Sequence, residues 1–448
     1  MTRVAWVFVF LVMAGCGSRA PTVPPVATVP PAAPAPAEPV PAAPAKSAPP
    51  AQQSAFYADS FSKQPTVPEM TRLGRSLFFD PSLSASGQLA CATCHDPKFA
   101  YGPPPKGVMI AVNGKSVPLV SARAIPSLKY LQTTPPFGEH HYDEAVDESV
   151  DQGPTGGHMW DGRADTLHDQ ARLPLFSASE MANTSAAAIV EQVRGGAHAQ
   201  CVKSTFGADV FDDSRKAFKA VLMSLEVFQQ SPREFYPYNS RYDSWLRGHG
   251  RLSDTETRGL KWFNDPHGGN CANCHPSQIR NGAFPQFTDY GLIALGVPRN
   301  AQLPANEDPS YFDLGLCGPQ RTDLKDHAQY CGLFKAPSLR NVTLRHTFFH
   351  NGVFHDLRQV VDFYVERDSH PDKFYPKGQT FNDLPAQYHG NINTESPFGE
   401  ESAGRGPLPK KQLDDVMAFL ATLTDGFQDG TSPSVSDPAA TQRSVNGC

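Results

Sequence analysis

The 448 residues carry a net charge of −6 with only 19% charged side chains, against about 25% in an average soluble domain. No basic surface announces a nucleic-acid partner, and 10% aromatics, with 28 Phe, supply apolar bulk for two or three domains. The 43 Pro and 35 Gly reach well beyond any one linker, so a loop-rich body is expected rather than a sheet sandwich.

Residues 1–15 read as an export signal. Arg3 supplies the positive end, and the apolar run from Ala5 to Met13 is far short of the ~20 residues of a membrane helix. Met13-Ala14-Gly15-Cys16 resembles a lipobox in which Cys16 takes a lipid; the competing reading is an ordinary secretory signal with a chance cysteine. Residues 16–54 form a tether, since 12 Pro and 9 Ala between positions 21 and 50 cannot bury a core and make a stiff spacer. The expectation is a periplasmic body held by a lipid, at the outer membrane, with no other membrane segment.

The first domain is assigned to residues 55–245. Helical apolar spacing over 71–79 stops at Asp80-Pro81, and a loop leads to Cys91-Ala92-Thr93-Cys94-His95. Two further helical runs cover 186–190 and 216–228. The polar stretch 231–250, rich in Pro, Gly and Tyr, reads as the interdomain connection. The second domain, 246–430, opens on Ser253 with Glu256 three residues on, a capping box. That helix runs through Trp262-Phe263 to a break at Asp265-Pro266, and a Gly-rich loop leads to Cys271-Ala272-Asn273-Cys274-His275. Helix, break, loop and pentad thus occur twice, 180 residues apart, a repeat of a functional unit rather than a solenoid period. An amphipathic helix over 413–423 closes the domain, and 431–448 is a tail.

The pentad is the attachment pattern of c-type haem. Two thiols one helical turn apart add to the two vinyl groups, and the following His ligates iron. A zinc ribbon needs its Cys pairs about 15–20 residues apart, and a thioredoxin-like pair needs a βαβ context that is missing. Two covalently bound haem c groups are therefore expected, held by Cys91, Cys94 and His95 and by Cys271, Cys274 and His275. Of nine Cys, Cys16 and the four thiols leave Cys201, Cys317, Cys331 and Cys448. Cys317 and Cys331 close a short loop in an oxidising compartment, which predicts a disulfide; Cys201 with Cys448 is a weaker pairing. No Met occurs between His275 and Met417, so the second iron's other ligand is Tyr364, His346, His350, His355 or nothing.

Three ordered stretches carry a resemblance. Leu73-Gly74-Arg75-Ser76-Leu77-Phe78-Phe79-Asp80-Pro81 leads to the first pentad. Trp160-Asp161-Gly162-Arg163-Ala164 is followed by Leu167, Gln170 and Ala171. Phe334-Lys335-Ala336-Pro337-Ser338-Leu339-Arg340-Asn341 leads to His350-Asn351-Gly352. From about residue 70 to 425 the chain resembles the bacterial di-haem cytochrome c peroxidase family, which includes MauG. The resemblance implies a mainly α fold with two cytochrome c-like haem domains in tandem. It implies a peroxide-reacting haem in the first domain and an electron-transfer haem in the second. Trp160 takes the place of the tryptophan between the haems, Gln170 and Glu180 that of the distal-pocket pair, with Pro174 in the same segment. Tyr364 stands where MauG-like members have an axial tyrosine and ordinary peroxidases a methionine.

A carboxylate in a partly apolar pocket, such as Glu180, can take a proton from bound peroxide and return it to the leaving oxygen. Many members place a distal His after the first pentad, but no His lies between His95 and His140, so the first haem is expected to be open. Met109 and the pair His140 and His141 are the alternatives. The family's calcium ion between the haems is put in question by Ala124, where an Asn is expected, and by Arg345-His346-Thr347, where Arg345 supplies charge instead. Three functions compete. The first is reduction of hydrogen peroxide with electrons from a small periplasmic donor, a cytochrome c or cupredoxin. The second is MauG-like oxidation of Trp or Tyr side chains of a partner protein, and the third a di-haem relay without peroxide chemistry.

Overall fold

The computed structural model describes residues 55–57, 61–112, 115–142, 151–399 and 409–428. The signal, Cys16, the whole tether, the tail and Cys448 lie outside the described residues. No described helix is long and apolar enough to cross a membrane.

Thr66 opens α1 (Val67–Phe78) with a capping box: the Thr66 amide donates to Glu69 at 3.0 Å and the Glu69 amide to the Thr66 hydroxyl at 3.4 Å. This box, with Pro68 tolerated in the first turn, starts the helix four residues before the apolar spacing begins. Met70, Leu73 and Leu77 are its buried face. The first pentad follows in α2 (Cys91–Cys94). The loop expected after it contains an antiparallel hairpin, β1 (Val108–Val112) with β2 (Lys115–Leu119). Its signal, Asn113-Gly114 between runs holding Val and Ile, is a favoured hairpin pair. Next come α3 (Leu167–Phe176), α4 (Ala186–Gly195), α5 (Ala199–Phe206) and α6 (Ser214–Gln229). Of these, α4 and α6 match the two expected runs, while α3 and α5 were not foreseen.

The connection at 231–250 is not a bare linker. It holds α7 (Pro232–Phe235) and α8 (Arg241–Leu246). Phe235 is buried in the first apolar cluster and Tyr242 in the second, and Asp243 pairs with Arg340 at 2.9 Å with both side chains fully buried. Then α9 (Asp254–Asn264) starts at the expected Ser253–Glu256 box. Short strands β3 (Leu292–Ile293) and β4 (Phe334–Lys335) pair antiparallel. They precede α10 (Leu357–Glu366) and α11 (Lys410–Ala421). The predicted disulfide Cys317–Cys331 is present.

The described residues are helix-rich with few strands, and they hold two large apolar clusters, at 70–235 and 242–423. In each, the helix before the pentad crosses a late helix at a glycine. A Cβ on Gly74 would lie 1.8 Å from the Ser224 carbonyl oxygen of α6, and one on Gly259 1.9 Å from that of Asp415 in α11. Only glycine lets backbones approach so closely. The repeat seen in sequence is thus a repeat of packing.

Candidate active site

Each pentad folds as a tight turn, with the His95 amide donating to the Cys91 carbonyl and the His275 amide to the Cys271 carbonyl, both at 2.9 Å. The two imidazoles are then held alike. His95 Nδ1 lies 2.9 Å from the Tyr101 carbonyl oxygen, and His275 Nδ1 2.8 Å from that of Phe287. A carbonyl only accepts, so Nδ1 carries the proton and Nε2 keeps its lone pair for iron. Burial pushes both imidazoles down to about 4, against the hydrogen bonds, which keeps them neutral as ligation requires. Tyr101 and Phe287 are buried aromatics with φ of 55° and 54°. That left-handed backbone is rare for bulky side chains and costs roughly 1–3 kcal/mol; here it turns a carbonyl onto each imidazole. Sequence reasoning missed both residues, because they stand six positions after one His and twelve after the other.

A cavity of about 240 Å³ opens on the second pentad and is lined by Cys271, Cys274, His275 and Tyr364 together with Trp160 and Gln170. Its walls fit a haem in three respects. They are mostly apolar. Two half-buried cations face it without an ion pair to a described carboxylate: Lys335, pushed down to about 8 by desolvation, donates to the Gly157 carbonyl at 2.6 Å, and Arg345, pushed down to about 10, donates to the Ser338 carbonyl at 2.7 Å and leaves Nε without an acceptor among the described residues. The carboxylates of a haem would neutralise such charges. The Tyr364 hydroxyl, on α10 and packed against Phe349 and Phe398 at 6.0 and 5.3 Å between ring centres, makes no hydrogen bond to another described residue. Burial pushes it above the ordinary phenol value, and the nearby thiols of Cys274 and Cys271 add to this. Of the other open ligand candidates, His350 also lines the cavity, stacked on Phe334 at 3.5 Å. His346 packs on Phe99 and accepts a hydrogen bond from His355 through its carbonyl.

Trp160 is locked between the two halves of the chain. Its indole donates to the Ala124 carbonyl at 2.7 Å, its own carbonyl accepts from the Lys335 amide at 2.8 Å, and the Ala124 amide donates to the His350 carbonyl at 2.7 Å. Beneath it a buried ion network spans the same join: Arg123 pairs with Asp161 at 2.7 Å and with Asp313 at 2.6 Å. Ala124 thus lies in the loop that anchors the indole.

A different segment approaches the first pentad. Thr166 caps α3, which sends buried Gln170 to the cavity already described. Pro174 inside that helix lacks the amide that would bond the Gln170 carbonyl. The turn after α3 is tied by the Met181 amide to the Pro174 carbonyl and by Asn183 to Leu175 and Leu83. It carries Glu180. Burial holds the Glu180 carboxyl above its ordinary value, against Ser177 and Arg163, and its charge raises the Cys94 thiol in turn. The carboxylate therefore stands close enough to Cys94 of the first pentad for its charge to be felt there. Met109, by contrast, sits half-exposed on β1, and His140 is exposed and paired with Asp151. His141 is exposed too, and none of the three lines the cavity.

The arrangement offers two neutral imidazoles with Nε2 free of the proton, a carboxyl near one pentad, a phenol in the cavity with the other, and an indole held by the Ala124 carbonyl. Comparison with known proteins agrees with it. Residues 68–251 match the family "Di-haem cytochrome c peroxidase". The chain is 32% identical over 381 residues to the methylamine utilization protein MauG of Paracoccus denitrificans, spanning 81% of this chain and 90% of that protein. It is 25% identical to the cytochrome c551 peroxidase of Nitrosomonas europaea, over 66% of this chain and 73% of that one. The crystal structure of the diheme peroxidase BthA from Burkholderia thailandensis superposes with a TM-score of 0.69 at 35% identity, covering 83% of this chain and 89% of that one. A tyrosine-to-methionine variant of the same peroxidase superposes at 0.71, with 34% identity over 85% and 91%.

Proposed function

Since the chain belongs to the di-haem cytochrome c peroxidase family that includes MauG, and is an oxidoreductase acting on peroxide, we propose that it reduces hydrogen peroxide at the first pentad's haem. Electrons reach that site from the second through Trp160. Bound at His95 and His275, two haem c groups supply the iron chemistry that activates peroxide and holds oxidising equivalents.

The protein's own part is proton handling, orientation and conduction. Glu180 would hold and return the proton that cleavage of peroxide requires, taking it from one oxygen and giving it to the leaving one. Gln170 offers its amide to the same pocket. Trp160, fixed by the Ala124 carbonyl, joins the two sites with an aromatic ring. Tyr364, in the cavity with the second pentad, would hold the second haem together with His275. As a phenolate it would favour the higher oxidation state of that haem's iron.

The observation that carries this reading is the contrast between the sites. A phenol with no hydrogen-bond partner among the described residues lines the cavity with the second pentad, while the first has Glu180 as a charged neighbour and the rival ligands Met109, His140 and His141 are on exposed surface. The body works in the periplasm, lipid-tethered through Cys16, and draws electrons from a small cytochrome c or cupredoxin. Tyr364 and the likeness to MauG favour a second reading, in which the electrons come from Trp or Tyr side chains of a partner protein.

One equivalent of hydrogen peroxide added to the holoprotein tests the proposal. The absorption of both haems is expected to change. An unaltered spectrum with two six-coordinate irons would leave a plain electron relay. Turnover with a reduced cytochrome, measured beside product analysis on a partner protein, separates the two catalytic readings.

A further inference from the structure

We propose that the face around Trp245 is the docking site for an acidic one-electron carrier protein, and that electrons enter through Trp245 and Tyr242 toward the second haem site. This rests on the peroxidase reading and names its partner surface.

Trp245, in the last turn of α8, keeps 36% of its surface exposed, and an indole of this kind is a favoured anchor at protein interfaces. Its ring lies 5.2 Å from that of buried Tyr242, and Tyr242 lies 5.5 Å from Phe287. Phe287 is the residue whose carbonyl holds His275 at 2.8 Å, and the Tyr242 hydroxyl donates to the Ser277 carbonyl at 2.9 Å. Three packed aromatic rings thus lead inward from the surface to Phe287, and the Phe287 backbone carbonyl makes the last link to the His275 imidazole.

The surroundings are basic in a chain whose net charge is −6. Arg247, His249 and Arg251 are exposed. The loop that carries them folds back on α8, with the Gly248 amide donating to the Trp245 carbonyl and the His249 amide to that of Ser244. Arg247 stacks on Phe284 at 4.5 Å, beside the segment bearing exposed Arg280 and Ile279. Between positions 240 and 252 the sole acid is Asp243, fully buried against Arg340. Of the acids just beyond, Glu256 pairs with Arg241 at 3.3 Å and Asp254 is exposed. Cations after a helix C-terminus suit its dipole, but that accounts for one short turn and not for an indole partly exposed among them. An aromatic anchor ringed by positive charge is the make-up of a docking site for a negatively charged partner.

In the step proposed, the carrier's reduced metal centre loses one electron and the second site gains it. Two such transfers, with two protons, convert one hydrogen peroxide into two waters. The test uses the holoprotein with two probes, a reduced acidic c-type cytochrome and a reduced basic one. Calorimetry measures binding independently of turnover, and stopped-flow absorption measures electron transfer. The acidic probe is expected to bind, its Kd rising roughly tenfold between low and physiological salt as screening sets in. The double variant Arg247→Glu, Arg251→Glu is expected to weaken that binding by about tenfold or more, and Trp245→Ala to slow electron transfer at saturation. Binding of the acidic probe that ignores both charge reversals, or a basic probe that binds more tightly to the native face, overturns the proposal. A holoprotein inert to peroxide alone, with the acidic probe still bound at this face, overturns the peroxidase reading instead.

Discussion

Replacing Gly259 by alanine inserts one methyl group where α9 crosses α11. The added carbon would lie 1.9 Å from the Asp415 carbonyl oxygen and 2.8 Å from the Phe419 Cβ. Carbon contacts are comfortable from roughly 3.5 Å, so the helices must part by about 1.5 Å at that point. The obstruction is helix backbone and cannot swing aside. Overpacking costs about 1–3 kcal/mol, and alanine's better helix propensity offsets about 1 kcal/mol. With backbone as the obstacle the upper end applies, and a net loss of about 2 kcal/mol is expected. Gly74→Ala, 1.8 Å from the Ser224 carbonyl, should behave alike in the other cluster. Gly195→Ala is the control: it ends α4 with nothing within 4 Å, and should stabilise by up to about 1 kcal/mol. Urea unfolding of each holoprotein, followed by circular dichroism and haem absorption, gives the differences from the midpoints. Should the Gly259 and Gly195 variants shift the midpoint in the same direction, the close-crossing argument fails.

Glu180→Gln should slow the reaction with peroxide by roughly 10²–10⁴ in stopped-flow measurements. Because burial raises the native carboxyl, the wild-type rate should fall as pH drops through that raised value, a slope absent from the variant; matching pH profiles would count against the role. Tyr364→Phe should alter the low-spin absorption of the second haem, and Tyr364→Met should raise its potential in a redox titration, while an unchanged Phe-variant spectrum removes Tyr364 from the iron. Burial pushes the Asp243 and Asp313 carboxyls up, but the guanidiniums of Arg340 and Arg123 outweigh it and hold both below their ordinary value. Their stabilisation is therefore complete above the unfolded value of about 3.9 and is lost as pH falls through the lower folded values. Asp313→Asn should flatten the acid limb of a plot of unfolding midpoint against pH, and an identical limb would show that the network contributes nothing.

Much of the site was legible because its chemistry is local. Two vinyl groups demand two thiols one turn apart, and the ligand must follow at once, so Cys91 to His95 and Cys271 to His275 announce themselves without any tertiary knowledge. Helix starts were legible where a side chain caps the chain three residues on, as at Ser253 and Glu256. The hairpin at 108–119 had a signal that went unread. For Tyr101 and Phe287 there was none to read, since every residue owns a carbonyl, and only a left-handed turn at those two positions aims it. The polar composition of 231–250 suggested a linker, and its buried Phe235, Tyr242 and Asp243 show that composition averages over faces that packing separates.

From the sequence alone follow the two Cys-x-x-Cys-His pentads with the haem attachment they imply, the helix–pentad repeat and the disulfide at Cys317 and Cys331, all of them patterns among residues close in the chain. Tertiary structure alone decides which candidates meet. It brings Tyr364 and His350 to the cavity and leaves His355 exposed, seats Glu180 near Cys94, and pins the Trp160 indole to Ala124 across 36 positions. The reason is physical: a coordinate bond or a cap needs a fixed short spacing, whereas desolvation and the aim of a hydrogen bond depend on what the remote chain lays alongside.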